Sequence, residues 1–339
     1  MQEKLNSIIP GKKGNVWEIA PGVTGLKILF VNVYFISETE GPSKRWVLVD
    51  AGLRGSAPKI LKTAEKLFGK DSKPEAIILT HGHFDHVGAI QKLINIWQVP
   101  VYAHHLELPY LRGLSNYPPP DPTAGGGLIT FLSRFFPNSP INLGDKVKAL
   151  PESEVPFLSQ WRWIATPGHS PGHVSLFREQ DKTLIAGDAF VTVDQEAGLS
   201  LFNPKQEVKR PPAYLTPNWI DAEQSVIKLA QLQPEIAATG HGLPMRGPEL
   251  TNSLNLLATM FKELALPKYG RYVAEPAITN ETGIVRVPPP VPDIVANILV
   301  TAGISALAGF ALFNLIRKKQ TTFYPKQNRK KRAPAFSLN

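Results

Sequence analysis

Residues 79–89 read LTHGHFDHVGA, which places His81, His83, Asp85 and His86 within six positions of a chain that has only eight histidines. Imidazoles and a carboxylate at this density form a metal site, a pH-sensitive patch or an accident of composition, and the other histidines decide between these. Side chains alternate along an extended or turning loop, so His81 and His83 can share one metal ion. Asp85 and His86 begin the following helix and can reach a second. Nitrogen and carboxylate donors suit zinc, and also manganese or iron, whereas calcium and magnesium prefer all-oxygen shells.

The elements around this loop alternate. WVLVDAG (46–52) reads as a buried strand ending at a turn. APKILKTAEKLFG (57–69) reads as a helix with Pro58 near its start and Gly69 as its stop. EAIILT (75–80) is a second strand running into the histidine loop, and Val87, Ile90, Ile94 and Trp97 then share one helical face. WRWIAT (161–166), KTLIAGD (182–188) and EIAATG (235–240) are further strands. This alternation predicts an α/β class with helices covering sheet faces. His169 and His173 follow the 161–166 strand in TPGHSPGH, Asp188 ends the next in AGDAF, and His241 ends the last in TGHG. Six of the eight histidines therefore sit at strand ends, the edge where α/β proteins build sites. His104 and His105 fall outside this scheme and read as surface or packing residues. Residues 105–145 are irregular, with the length of a lid or binding loop.

THGHFDHVGA, TPGHSPGH, AGDAF and TGHG, in that order, together resemble the metallo-β-lactamase superfamily over residues 15–265; VDAG (49–52) matches that family's aspartate turn. The resemblance implies a four-layer αββα sandwich with a binuclear site at one edge. It implies that His81, His83 and His169 hold the first metal ion and Asp85, His86 and His241 the second, with Asp188 bridging. His173 and Asp50 would orient ligands without binding metal. Two zinc ions per chain, or manganese or iron, would hold a hydroxide that attacks a carbonyl, with Asp85 orienting it and receiving its proton. No G-x-S-x-G context offers a serine nucleophile.

Within the family, absence of cysteine and a bridging Asp188 tell against the branch of β-lactamases with a cysteine ligand. His83, where di-iron redox members carry glutamate, tells against oxygen or nitric oxide reduction. The pattern resembles the glyoxalase II or lactonase-like branch, acting on a small-molecule ester, thioester or lactone. Two departures stand out: Phe190 and Val191 follow Asp188 where lactonases commonly have a tyrosine, leaving Tyr214 as the nearest candidate. Residues 242–275 also hold no convincing glutathione-binding lysine and tyrosine set. LITFLSRFF (128–136) and YLTPNW (214–219) read equally as substrate-pocket lining or as core. A non-catalytic zinc-stabilised membrane scaffold and a phosphodiesterase or nuclease are the competing readings.

The 339 residues are 43% hydrophobic and 19% charged, long enough for one large domain, and the net charge is +9. That charge belongs to residues 317–339, which hold eight Lys/Arg and no acid; the remainder has 29 basic against 28 acidic residues. A neutral body offers no groove for nucleic acid. Residues 294–316, IVANILVTAGISALAGFALFNLI, carry no charge. As a helix they cover roughly 34 Å, against a hydrocarbon core of about 30 Å. Asn297, Thr301, Ser305 and Gly309 form a small-residue stripe on it, suited to homo-oligomer contacts in a lipid membrane. The expected organisation is a hydrolase domain (1–275), a Pro-rich linker (276–293), a single transmembrane helix (294–316) and a basic tail (317–339). No secretory signal is visible at the start. Tail-anchoring would keep the domain in the cytoplasm, whereas the positive-inside tendency would keep the tail there.

Overall fold

The computed structural model describes residues 15–38, 45–194, 196 and 206–293. Among the described residues, thirteen strands form two facing sheets. The first runs in sequence order: β1 (Val16–Ala20), β2 (Val23–Ile28), β3 (Val31–Ser37), β4 (Trp46–Val49), β5 (Ile77–Ile78), β6 (Val101–Ala103) and β7 (Val147–Ala149). β1 to β4 pair antiparallel and β4 to β7 parallel. The second contains β8 (Glu154–Val155), β9 (Leu158–Ala165), β10 (Val174–Arg178), β11 (Thr183–Gly187), β12 (Ile236–Thr239) and β13 (Met245–Arg246), with β11 and β12 parallel.

Helices lie on the outer faces of the sheets and at the edge where the strands end. They are α1 (Ala57–Phe68), α2 (Phe84–Val87), α3 (Ile90–Trp97), α4 (Leu108–Leu111), α5 (Leu128–Leu132), α6 (Trp219–Gln231), α7 (Gly247–Thr259) and α8 (Phe261–Leu264). The layering follows from the period-2 alternation of strands that are apolar on both sides. In β4, Trp46 and Leu48 pack outward with Ile60 of α1 and Trp97 of α3. Val47 and Val49 pack inward with Val174, Leu176 and Ile185 of the opposite sheet. In β11 and β12, Leu184, Ala186 and Ala237 face outward against Trp219 and Val226 of α6 and Leu250 of α7. Three apolar clusters thus separate helix, sheet, sheet and helix.

The single helix expected after the histidine loop is two, α2 and α3. The break falls at Gly88, whose N–H donates to Gly52 O at 2.7 Å instead of continuing the helical ladder. A Cβ at residue 88 would collide with the backbone of Arg54, so only glycine permits this approach. The 105–145 stretch is less irregular than its sequence suggests, since α4 and α5 lie within it. The stretch expected as a Pro-rich linker contains a hairpin of β14 (Ile278–Asn280) and β15 (Gly283–Arg286). Ile284 N–H donates to Ser115 Oγ at 3.1 Å, tying the hairpin to the body. The described residues through Val291 belong to one unit. Among the described residues no helix is long and apolar enough to cross a membrane. The expected membrane segment (294–316) and basic tail lie outside them.

Candidate metal centre

Four strand ends deliver seven side chains to one buried point. The turn after β5 supplies His81 and His83, and α2 supplies Asp85 and His86. The turns after β9, β11 and β12 supply His169, Asp188 and His241. Ligand atoms of His81, His83 and His169 lie within 4.8 Å of one another, as do those of Asp85, His86 and His241. A third set, His81, His86 and Asp188, meets the same limit and links the first two. All seven are buried.

Hydrogen bonds on the far side of each ring fix which nitrogen faces the centre. Thr80 Oγ1 donates to Asp50 Oδ2 at 2.8 Å, so at 3.1 Å it accepts from His81 Nδ1. His81 Nε2 is left with its lone pair inward. His86 Nδ1 donates to Asp50 Oδ2 at 2.8 Å, again leaving Nε2 inward. His241 Nδ1 lies 2.9 Å from the Phe30 carbonyl, which can only accept. Thr216 Oγ1 donates to Pro212 O at 2.8 Å and faces His169 Nδ1 at 3.4 Å. Lone pairs of four imidazoles therefore converge, the pattern by which outer partners orient metal-binding histidines.

The convergence leaves buried atoms unsatisfied. His81 Nε2, His86 Nε2 and Asp188 Oδ1 have no hydrogen-bond partner. Such orphans are costly unless a cation or proton sits among them. His241 Nε2 lies 3.0 Å from Asp188 Oδ2 and 3.4 Å from Asp85 Oδ2. His83 Nδ1 and His169 Nε2 face each other at 2.9 Å. The donor set fits one or more divalent metal ions.

Electrostatics divide the cluster. Burial, with neighbouring imidazoles, holds His81 and His169 well below the usual histidine range and His83 at about 3. They are neutral donors at any ordinary pH. Burial also acts to lower His86 and His241, but Asp188 and its neighbouring carboxylates raise both. Burial acts to raise Asp188, yet His241 and His86 bring it well below the carboxylate range. Asp85 is pushed up by burial, against His86 and His241.

Asp50 and His173 touch the cluster from behind. Asp50, at φ 61°, accepts from Thr80 N–H at 2.8 Å as well as from His86 and the Thr80 hydroxyl. His173 Nε2 accepts the Asp188 N–H at 2.9 Å, and its Nδ1 lies 2.8 Å from Thr166 Oγ1. Both its nitrogens are engaged, so it positions the Asp188 backbone. Burial lowers it to about 4. His104 packs edge-on against Trp163, outside the three ligand sets.

Glu107 escaped the sequence reading. Its carboxylate is buried and accepts from Gly82 N–H at 3.0 Å, Ser170 Oγ at 2.8 Å, Gly172 N–H at 2.7 Å and the Tyr117 hydroxyl. It thereby ties the turn between His81 and His83 to the turn between His169 and His173. Burial pushes its carboxyl up, while these four donors favour the ionised form. A lone acid in HHLELPYL gives no local sign of this. Asn32 does the same for His241: its Nδ2 donates to Thr239 O at 2.9 Å and Gly242 O at 2.7 Å. Glycine is required at 240, where a Cβ would strike Asp188 Oδ1.

Asp85, Asp188 and His241 form the floor of a cavity of about 330 Å³ whose wall includes Tyr214 and the apolar side chains of α5. The centre thus opens onto space for a substrate.

A family model described as the metallo-beta-lactamase superfamily matches residues 26–241. The probable metallo-hydrolase YflN of Bacillus subtilis (strain 168) is 47% identical over 254 residues, covering 75% of this chain and 96% of that protein. The hydroxyacylglutathione hydrolase GloC of Haemophilus influenzae is 26% identical over 145 residues, covering 43% of this chain and 61% of that protein. A solved B3 metallo-beta-lactamase with an active site glutamic acid is 16% identical with a TM-score of 0.50, covering 80% of this chain and 94% of that chain. The last likeness shows the fold alone. The chain belongs to the metallo-beta-lactamase superfamily.

Proposed function

We propose that this superfamily member is a metal-dependent hydrolase that uses two divalent ions to cleave a small ester, thioester or lactone. The observation that carries the reading is the set of overlapping ligand groups, sharing His81 and His86, whose unsatisfied atoms gather around Asp188, a residue on the floor of the cavity. His81, His83 and His169 would hold one ion and Asp85, His86 and His241 the other, with Asp188 between. Zinc suits these donors; manganese and iron remain alternatives. When bound, such ions supply Lewis acidity and a water that deprotonates near neutral pH.

The chain's own groups supply the rest. Asp85 lies at the boundary between cluster and cavity, where its carboxylate can orient the attacking water and accept its proton. Asp50, His173 and Glu107 keep the ligands from turning away. The apolar wall excludes bulk water, which strengthens every charge interaction within. Elemental analysis of the purified protein should return two metal ions per chain. Turnover of simple esters should depend on them and be lost in Asp85→Ala. Full metal content without any turnover would favour a zinc-stabilised scaffold, and cleavage of phosphodiesters alone would favour a nuclease.

Residues 294–316 are proposed as a single membrane span that holds the domain at the cytoplasmic face. Its support is length and absence of charge. Retention in the pellet after alkaline carbonate washing is the expected result.

A further inference from the structure

The cavity above the centre carries an unusual charge distribution for a site that handles small polar metabolites. Its charged side chains are Asp85 and Asp188 on the floor, beside His241. Among the described residues, no lysine or arginine lines it. The wall is made by Phe30, Phe84, Ile129, Leu132, Phe136 and Tyr214. Phe136 bridges its two sides, with ring centroids 5.4 Å from Phe84 and 5.6 Å from Tyr214. Two arginines of the described residues, Arg134 and Arg210, are engaged elsewhere. Arg134 lies over the Phe131 ring at 4.0 Å and donates from Nε to Phe131 O at 2.8 Å. Arg210 pairs with Glu196 at 2.7 Å.

A carboxylate at the far end of an acyl chain, held against the wall and away from ions at the floor, would leave water for an apolar surface and meet no lysine or arginine among the described residues, a costly transfer. An uncharged alkyl or aryl group would gain by the area it buries. At about 30 Å³ for each water-sized group, 330 Å³ accommodates roughly ten such groups.

We infer that the acyl part of the substrate is uncharged and apolar, with about six to ten carbons, and that burial between α5 and Phe30 selects it. Acyl groups with a distal carboxylate and glutathione-like thiol partners are selected against, since among the described residues no lysine or arginine on the wall receives their carboxylates. This inference rests on the hydrolase reading for its chemistry. The apolar wall itself is present whether or not turnover occurs.

Two measurements on the full metal-loaded chain separate these. In the first, binding of 2-alkanones from butanone to dodecanone is followed by calorimetry; these ketones are uncharged and cannot be hydrolysed. Affinity should rise about fourfold per methylene until the cavity fills, then level off. In the second, kcat/KM is measured for p-nitrophenyl esters from acetate to dodecanoate and for ω-carboxylated counterparts. It should rise with chain length to an optimum between six and ten carbons, and fall at least tenfold on adding the terminal carboxylate. Leu132→Trp, which fills part of the cavity, should cut the decanoate-to-acetate ratio at least tenfold.

Turnover that ignores chain length, or prefers carboxylated esters or a glutathione thioester, overturns this inference and leaves the hydrolase reading standing. Steep alkanone binding without turnover of any ester upholds the apolar site and overturns the hydrolase reading. Flat alkanone binding overturns the inference even if Leu132→Trp fails to fold.

Discussion

The floor of the cavity and its wall at residues 128–136 differ in what holds each side chain. On the floor and just beneath it, His86 is 0% exposed, Asp188 1% and His241 2%, and distant segments hold each side chain: Asp50 for His86, His241 for Asp188 and the Phe30 carbonyl for His241. On the wall, Ile129, Leu132 and Phe136 are held by packing, and their neighbours Leu128 and Phe135 stand 59% and 75% exposed. A directional polar network tolerates little change, because each lost partner strands a buried charge or dipole. A packed apolar wall tolerates substitution that keeps volume. Floor substitutions should therefore remove function, and wall substitutions should redirect it.

The sharpest test of that contrast is Asp188→Ala. It removes the carboxylate that faces His86, His169 and His241, and it should abolish turnover and lower metal content below two ions per chain by elemental analysis. Retained turnover would mean that chemistry does not occur at this floor.

Next comes Asp50→Asn, which touches no cavity. It disturbs the acceptor shared by His86 and Thr80, and metal affinity should fall about 10–100-fold in a chelator competition. Unchanged affinity would show that the His86 ring needs no support from behind.

Glu107→Gln should be almost as damaging as Glu107→Ala. Each carboxylate oxygen accepts from two donors, so either orientation of the amide turns its NH₂ onto donors. Thermal unfolding should report a loss of about 1–3 kcal/mol for Gln. A mild Gln variant beside a severe Ala variant would show that Glu107 acts by volume alone.

The smallest effect lies far from the site, at Asp181. Burial acts to raise this carboxyl, but hydrogen bonds from Arg178 at 2.7 and 2.9 Å hold it below the usual range. A depressed carboxylate stabilises the fold above its unfolded value near 3.9, and that stability is lost as pH falls through the folded value. Asp181 is 31% exposed, so the discounted worth is about 0.5–1 kcal/mol. Asp181→Asn should cost that amount at pH 7, and the difference from the parent should shrink below about pH 4. A pH-independent difference would assign the effect to packing.

Much of the site was readable before any tertiary structure. His81, His83, Asp85 and His86 lie within one short turn, so their grouping is local. The strands before His169, Asp188 and His241 announce themselves by apolar runs that stop at glycine. Other features were not local. The sequence offered one helix after residue 83, and the break at Gly88 comes from the Gly52 backbone 36 positions earlier. Glu107 reads as an ordinary surface acid because its four partners are 10 to 65 positions away.

The sequence by itself determined which atoms can bind metal and where strands deliver them, because ligand chemistry and period-2 burial are properties of short segments. Only the tertiary structure decided which nitrogen of each ring faces inward, since that follows from hydrogen bonds between distant strands. It alone showed that Ile129, Leu132 and Phe136 line a cavity instead of filling a core. The same apolar residues serve either purpose, and the choice lies in what the fold places opposite them.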